Sequence, residues 1–145
     1  MARLSPYLTF DGNCRQAMEF YQHCLGGELD VQRLADSPLA ASLPFNVKDR
    51  IVHATLTSDH IVLMGSDMAA DTLVQGNTSS LILTFTSEAD IRETFASLGK
   101  EGAVIYSLQP TFYGALFGHL TDKFGHDWLF NYSVNAANLY NQLKP

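Results

Sequence analysis

The stretch YLTFDGNCRQAMEFYQHCLGGEL, residues 7–29, predicts a strand, a helix and the start of another strand. Its apolar beginning is followed by Asn13, a residue type suited to the N-cap of a helix. From Ala17 to Leu25 the apolar residues recur at three- and four-residue spacing, which is typical of an amphipathic helix. Gly26 and Gly27 end that helix, because glycine tolerates the left-handed conformation found there. The stretch therefore predicts a β–α–β beginning.

The order of elements then repeats in the second half of the chain. After the first helix come a predicted strand ELDVQRLAD and a hairpin at 50–67 that turns at Ser58 and Asp59. A second strand at 79–87 is likewise followed by a helix at 88–98, a strand and a hairpin. The tripeptide LTF occurs at both 8–10 and 83–85, and the hairpin from His53 matches the one from His119 at an offset of 119 − 53 = 66. The pattern predicts an α+β fold of two βαβββ modules, at about 5–67 and 78–132, within a single domain, residues 1–145.

Composition limits the class of protein. The 145 residues are 46% hydrophobic and 17% charged, as expected for a globular domain with a real core. The net charge of −6 disfavours nucleic acid as a partner, and no apolar run approaches the roughly 18 residues of a membrane span. Cys14 and Cys24 lie about 15 Å apart if both are on one helix, too far for a disulfide. We therefore expect free thiols and, without a signal-peptide pattern, a cytoplasmic protein.

Two blocks carry a family likeness: YLTFDGNCRQAMEFYQHCLGGEL at 7–29 and LQPTFYGALFGHLTDKFGHDW at 108–128. They resemble the PhnB-like branch of the vicinal oxygen chelate superfamily, the glyoxalase and bleomycin-resistance proteins, over about Ser5 to Asn131. The resemblance implies a pseudo-two-fold repeat in which open, curved sheets surround a cavity. It also implies a homodimer.

Enzymes of that superfamily typically hold a divalent ion with His, Glu or Gln from the first and last strands of each module. The resemblance places these positions at Pro6, Leu63, Ser80 and Leu129, and a slip of one residue brings in Tyr7, Met64 and Phe130. None of these side chains is a preferred ligand for Mg, Mn, Zn or Fe. We therefore expect neither a metal at the usual site nor a cofactor. No glycine-rich turn after a strand supports the methyltransferase activity sometimes attributed to this branch.

Candidate ligand-binding residues come from both halves. His53 heads a polar strand face with Thr55 and Thr57, which suits a cavity wall or a solvent-facing edge, although His53 could also be a core histidine bonded to a carbonyl. The segment 109–118 is expected to be a loop with exposed aromatic side chains, either covering an apolar ligand or touching a second subunit. The predicted ligand-binding set is His53, Leu63, Ser80, Thr84, Gln109, Phe112, Tyr113 and Leu129, with His53 and the loop expected at one cavity mouth.

The stretch TDKFGHDWLFNY, residues 121–132, looks chemical at first sight because a histidine and an aspartate adjoin the only tryptophan. In a strand, neighbours point to opposite faces, so His126 and Asp127 do not form a dyad. Trp128 is expected to pack under a helix with Phe130 and Tyr132, whereas the resemblance implies that Asp127, Leu129 and Asn131 face the cavity. Asp127 there is either a base or a solvated rim residue. The spacing of His53 with His60, and of His119 with His126, allows cross-strand pairs, but spacing alone is weak evidence and favours half-exposed, unpaired positions for His60 and His126 at turns or strand starts.

Three functions remain after this reading. The best supported is a protein that binds a small molecule without a metal. A metal-dependent lyase, isomerase or dioxygenase acting on a vicinal-oxygen substrate would need ligands that the aligned positions lack. A non-catalytic structural dimer is the third. No catalytic residue is assigned.

Overall fold

The computed structural model describes residues 1–69 and 71–133. Its described residues form two compact units, Met1–Val74 and the described residues from Gln75 onward, and one predicted module falls in each; the end of the predicted domain, residues 134–145, lies outside the described residues. The first unit consists of β1 (Tyr7–Thr9), α1 (Cys14–Leu25), β2 (Glu28–Arg33), β3 (Ile51–Thr57) and β4 (Val62–Ser66). The second consists of β5 (Leu81–Phe85), α2 (Glu88–Leu98), β6 (Ala103–Pro110), β7 (Ala115–Thr121) and β8 (Asp127–Ser133). The predicted α+β fold of two βαβββ modules is confirmed.

The two units share one sheet topology. Each holds a four-stranded sheet, in the order β1-β4-β3-β2 in the first and β5-β8-β7-β6 in the second. In both, the first strand pairs in parallel with the last, and the other pairings are antiparallel. Leu8 stands opposite Gly65 in the first unit and Leu83 opposite Phe130 in the second, so the shared LTF tripeptide occupies matching places. Both sheets are open.

Each helix packs on one face of its own sheet, which we call the helix face; the opposite side is the open face. A Cβ added to Gly65 would lie 3.4 Å from the Cys14 sulfur on α1, and one added to Gly118 would lie 2.8 Å from the ring of Phe95 on α2. The Phe95 and Phe130 rings meet edge to face at 4.9 Å. Side-chain alternation then assigns every other strand residue to a face. The fully buried Ala54, Leu56, Trp128 and Phe130 lie on the helix faces.

The start of α1 is held by a residue far away in the sequence. Asn13 occupies the predicted N-cap position but makes no capping hydrogen bond with its side chain. Asp67, 3% exposed, instead accepts from the backbone N–H groups of Gly12 at 2.8 Å and Cys14 at 3.0 Å through one oxygen. Its other oxygen accepts from the backbone N–H of Ile51 at 2.9 Å. One buried carboxylate therefore joins the helix start to β3.

The aromatic segment at 109–118 is not the loop that the sequence suggested. β6 continues to Pro110 and β7 begins at Ala115, so only Thr111–Gly114 form the connection. Thr111 closes this turn: its backbone N–H donates to the Ala115 carbonyl at 2.8 Å, and its hydroxyl accepts from the Ala115 N–H at 3.0 Å. Gly114 adopts φ 80°, which a glycine tolerates. The segment is a strand, a tight turn and a strand.

The two cysteines lie in different surroundings. Cys14 is fully buried, and burial together with the nearby Asp67 carboxylate raises the pKa of its thiol to about 12. Cys24 is half-buried near the end of the same helix. Because the thiolate is the nucleophile, Cys14 is inert at neutral pH.

We expect a thiol reagent such as iodoacetamide to modify Cys24 in the native protein while leaving Cys14 unmodified, as read by peptide mass spectrometry. In urea both should react, since Cys14 is then exposed. A Cys24→Ser variant should take up no label while folded. Labelling of native Cys14 at the rate of Cys24 would contradict the burial described above.

Within residues 1–69 and 71–133, the helices are too short or too polar for any of them to cross a membrane.

Candidate functional site

The open face of the first unit carries polar and apolar side chains side by side. Tyr7, Met64, Thr55 and Asp30 form one row across β1, β4, β3 and β2, because each stands opposite the next in the register. His53, two residues from Thr55, lies on the same face. Such a mixed surface can orient an organic ligand through a few polar groups while covering its apolar parts.

His53 contacts two other side chains of this open face. Its Nε2 lies 2.9 Å from the hydroxyl oxygen of Thr55, and its ring centroid lies 6.1 Å from that of Tyr7. β3 is an internal strand between β4 and β2, so the alternative of a solvent-facing edge is wrong. His53 is half-buried, and its polar partner here is a side chain. Contact with a ligand stays a prediction.

The open face of the second unit has two complete rows. One row comprises Thr84, Asn131, Phe117 and Gln109 on β5, β8, β7 and β6. The next comprises Ile82, Leu129, His119 and Tyr106. The predicted residues Thr84, Gln109 and Leu129 thus share one surface, together with side chains that the sequence reading had not proposed as ligand contacts.

A titratable cluster occupies the end of this surface. His119 on β7 and Asp127 on β8 are diagonal neighbours, with Nε2 3.6 Å from the Asp127 carboxylate oxygen Oδ1. The same oxygen accepts a 2.6 Å hydrogen bond from the hydroxyl of Thr121, which stands directly opposite Asp127. The Asp127 side chain is only 11% exposed, so the solvated-rim interpretation of this residue is wrong.

His126 lies in a turn and has a structural role. It precedes β8 within a turn that Asp122 organises, its backbone N–H donating to Asp122 at 3.1 Å. Burial lowers the pKa of the His126 imidazole, against the opposing influence of the Asp122 and Asp127 carboxylates. Asp122 also accepts from the Trp128 indole at 2.8 Å, so the histidine-aspartate neighbours of this stretch belong to a structural turn and a separate cluster.

The structure corrects the alignment of the two halves. Leu63 is 2% exposed and stands opposite Leu56 on the helix face, whereas Leu129 lies on the open face. The register pairs Tyr7 with Met64 and Ile82 with Leu129, so the counterpart of Leu129 is Met64, at an offset of 129 − 64 = 65 instead of 66. Met64 replaces Leu63 as the open-face residue of β4. Ser80 is exposed and precedes β5.

The two aromatic residues of the β6–β7 turn are exposed, as expected. Phe112 is fully exposed and Tyr113 is 63% exposed, and their rings meet edge to face at 5.1 Å. Val104, Ile105 and Tyr106 on the edge strand β6 are 54%, 58% and 48% exposed. Both interpretations of the turn, ligand cover and subunit contact, stay open.

The register also tests the metal site that the resemblance implies. The first and last strands of each unit present Tyr7 and Met64, and Ile82 and Leu129, on their open faces. A phenol, a thioether and two aliphatic chains do not suit a hard or borderline divalent ion, which needs carboxylate or imidazole ligands. Across 1–69 and 71–133, no three His, Cys, Asp or Glu side chains are grouped closely enough to hold a metal. These residues do not fit the metal.

Comparison with known proteins gives consistent matches along the chain. Residues 3–130 match the Glyoxalase/Bleomycin resistance protein/Dioxygenase superfamily. Protein YjdN of Escherichia coli (strain K12) is 30% identical over 138 residues, covering 88% of this chain and 93% of that protein. The crystal structure of protein PA1353 from Pseudomonas aeruginosa is 37% identical with a TM-score of 0.81, over 92% of this chain and 98% of that one.

A PhnB protein from Bacillus cereus, described as a putative 3-demethylubiquinone-9 3-methyltransferase, is 24% identical with a TM-score of 0.72. The match covers 91% of this chain and 100% of that one. At this identity the likeness concerns the fold alone.

Proposed function

Because this chain belongs to the glyoxalase/bleomycin resistance protein/dioxygenase superfamily, we propose that it binds a small organic molecule on the open faces of its sheets without a metal at the usual position. The membership confirms the resemblance seen in the sequence, and the likeness in fold to a PhnB protein agrees with the predicted branch. The observation that carries the proposal is the open-face register, which sets aromatic and aliphatic side chains beside His53, His119, Gln109 and Asn131.

The two other functions have weaker support. A metal-dependent enzyme would need ligands where the register presents Tyr7, Met64, Ile82 and Leu129. Methyl transfer is named for the Bacillus cereus protein, but at 24% identity that name does not carry over, and no glycine-rich turn in this sequence supports it. The exposed apolar side chains of β6 and its turn favour self-association, which can accompany ligand binding. We therefore also propose a homodimer.

We expect His53→Ala to weaken the binding of a ligand identified by a thermal-shift screen by about 1–3 kcal/mol, as for a lost hydrogen bond at a half-buried site. Tyr113→Ala should weaken it by a similar amount if the turn covers the ligand. The affinities would be measured by isothermal titration calorimetry. Both variants should unfold at nearly the wild-type temperature without ligand, because neither side chain belongs to the buried core.

The matched control is His60→Ala, which removes an exposed histidine from the β3–β4 turn. It should bind as the wild type does. Binding should also survive dialysis against a chelator, and untagged protein should carry no stoichiometric metal in elemental analysis. A ligand that binds only in the presence of a divalent ion would contradict the proposal. A Tyr113→Ala variant that turns from dimer to monomer in light scattering would assign the turn to the subunit contact instead.

A further inference from the structure

We propose that His119, oriented by Asp127, accepts the proton of an acidic hydroxyl group on the ligand, and that the ligand is a phenol. This inference rests on the proposed small-molecule binding and adds the chemistry of the ligand and of its proton acceptor. It is carried by the arrangement of His119, Asp127 and Thr121 at the end of the second unit's open face.

One of the two ring nitrogens of neutral His119 carries the proton, and its surroundings decide which. His119 Nε2 is inaccessible to solvent and has no hydrogen-bond partner at normal distance. The Asp127 carboxylate, 3.6 Å away, is the acceptor it faces. A contraction of under ~1 Å would turn this contact into a charge-assisted hydrogen bond, and such bonds are often long before a ligand is bound. The carboxylate therefore favours the tautomer with hydrogen on Nε2.

The Asp127 carboxylate is held in place by a neighbouring side chain. Asp127 Oδ1 is held by the Thr121 hydroxyl at 2.6 Å, and its side chain is only 11% exposed. Water therefore has little access to its negative charge, which acts mainly on the groups around it. Asp127 and Thr121 are positioning residues, in the way that a third group orients the base of a nucleophile–base pair.

The other ring nitrogen of His119, Nδ1, is the proton acceptor. With Nε2 protonated, Nδ1 keeps its lone pair. The His119 side chain is 28% exposed although its Nε2 is buried, so the exposed area belongs to other atoms of this side chain. When a ligand hydroxyl meets Nδ1, its O–H bond breaks, an N–H bond forms, and the oxygen keeps the electron pair. The resulting imidazolium lies against the Asp127 carboxylate, so the transfer needs no other reactant.

The aromatic part of the inference comes from the neighbours of His119 on the same face. Tyr106 stands opposite His119 in the register, and Phe117 lies two residues along β7. Their ring centroids are 6.2 Å apart. Ring faces of this kind cover flat, apolar ligands. A phenol offers an aromatic ring to these side chains and an acidic proton to His119.

The test uses 4-nitrophenol, whose ionised form absorbs visible light, and 4-nitroanisole, in which a methyl group replaces the acidic proton. We expect the wild-type protein to bind 4-nitrophenol and to increase the absorbance of its phenolate at constant pH, and to bind 4-nitroanisole about tenfold or more weakly. His119→Gln and Asp127→Asn should each lose this preference, with Asn keeping the acceptor for Thr121. His60→Gln is the matched control and should retain it.

A second readout needs no ligand: the nitrogen chemical shifts of His119 should indicate hydrogen on Nε2 in the wild type, and this preference should weaken in Asp127→Asn. The inference is overturned by equal binding of the two probes, by binding of neither, or by a wild-type His119 protonated on Nδ1. A screened ligand that depends on His53 and ignores His119→Gln would overturn this inference alone and leave the proposed function standing. If the screen finds no ligand at all, the proposed function fails with it.

Discussion

Replacing Trp128 with alanine is expected to lower the free energy of unfolding by about 3–5 kcal/mol through loss of core packing alone. The side chain is 2% exposed and lies under α2 on the helix face of the second unit. Its indole N–H also donates to the Asp122 carboxylate at 2.8 Å, and Asp122 is 3% exposed. Removing this hydrogen-bond donor from the buried Asp122 carboxylate adds about 1–3 kcal/mol to the loss of stability. Since natural domains are stable by about 5–15 kcal/mol, little folded protein should remain.

Two further variants separate packing from hydrogen bonding. Trp128→Phe keeps most of the ring volume and removes the indole N–H, so it should cost less than Trp128→Ala. Asp122→Asn keeps only one acceptor oxygen, so it can serve the indole or the backbone N–H groups of Phe124 and His126, but not both, because these donors bond to different carboxylate oxygens. Urea unfolding followed by circular dichroism gives all three free energies. If Trp128→Ala proved no worse than Trp128→Phe, the packing described for the second unit would be wrong.

Asp67→Ala is the second change with a large expected effect, a loss of about 3 kcal/mol or more. The substitution leaves three backbone N–H groups, those of Gly12, Cys14 and Ile51, without the acceptor that they share. Each buried donor left unpaired costs about 1–3 kcal/mol. Because these donors belong to the start of α1 and to β3, the first unit should lose the contact between its helix and its sheet.

The matched control is Asp11→Ala, since the Asp11 side chain is 70% exposed and pairs with Arg50 at 2.9 Å on the surface. Exposed ion pairs contribute about 0–1 kcal/mol, so this variant should unfold close to the wild type. Asp67→Asn should fall between the two, because its amide offers one acceptor oxygen where the carboxylate offers two. Thermal unfolding at neutral pH ranks the series. Equal effects of Asp11→Ala and Asp67→Ala would refute the capping role.

The fold was accessible from sequence because its signals are local and repeated. The helix periodicity from Ala17 to Leu25 and the Gly26-Gly27 stop lie within one short segment, and the structure ends α1 at Leu25. The hairpin turning at Ser58 and Asp59 is present between β3 and β4. Capping by Asp67 escaped the sequence reading because the carboxylate lies 55 residues from Gly12, beyond any local pattern.

The face of the sheet on which each side chain lies was harder to predict from the sequence, because side chains along a strand alternate between the two faces. An offset of 66 paired Leu63 with Leu129, whereas the sheet register gives 65 and pairs Met64 with Leu129. A slip of one residue moves a side chain to the other face, which is why Leu63 was expected beside a ligand and instead lies in the core. The predicted face of Leu129 was correct, because its neighbours Trp128 and Phe130 are large aromatic residues that indicate which face of the strand is buried.

The cluster of His119 and Asp127 was missed for a related reason. In the sequence, His119 pairs by spacing with His126, and Asp127 adjoins His126. Only the cross-strand register, in which Thr121 stands opposite Asp127, brings the carboxylate to His119. That register is set by the turn that Asp122 closes, with the Asp122 N–H donating to the His126 carbonyl at 2.8 Å. A tight turn predicted at residues 122–126 would have set Thr121 opposite Asp127 and so brought Asp127 near His119.

The single tryptophan also gives this repeated fold a built-in spectroscopic asymmetry. The two units share one topology, but Trp128 lies in the second, and the first contains no indole. Fluorescence excited at the red edge of the absorption band therefore reports on one repeat, whereas circular dichroism averages over both. Coincident melting curves from the two signals would mean that the repeats unfold as one cooperative block. Separated curves would assign the fluorescent transition to the second repeat without any labelling.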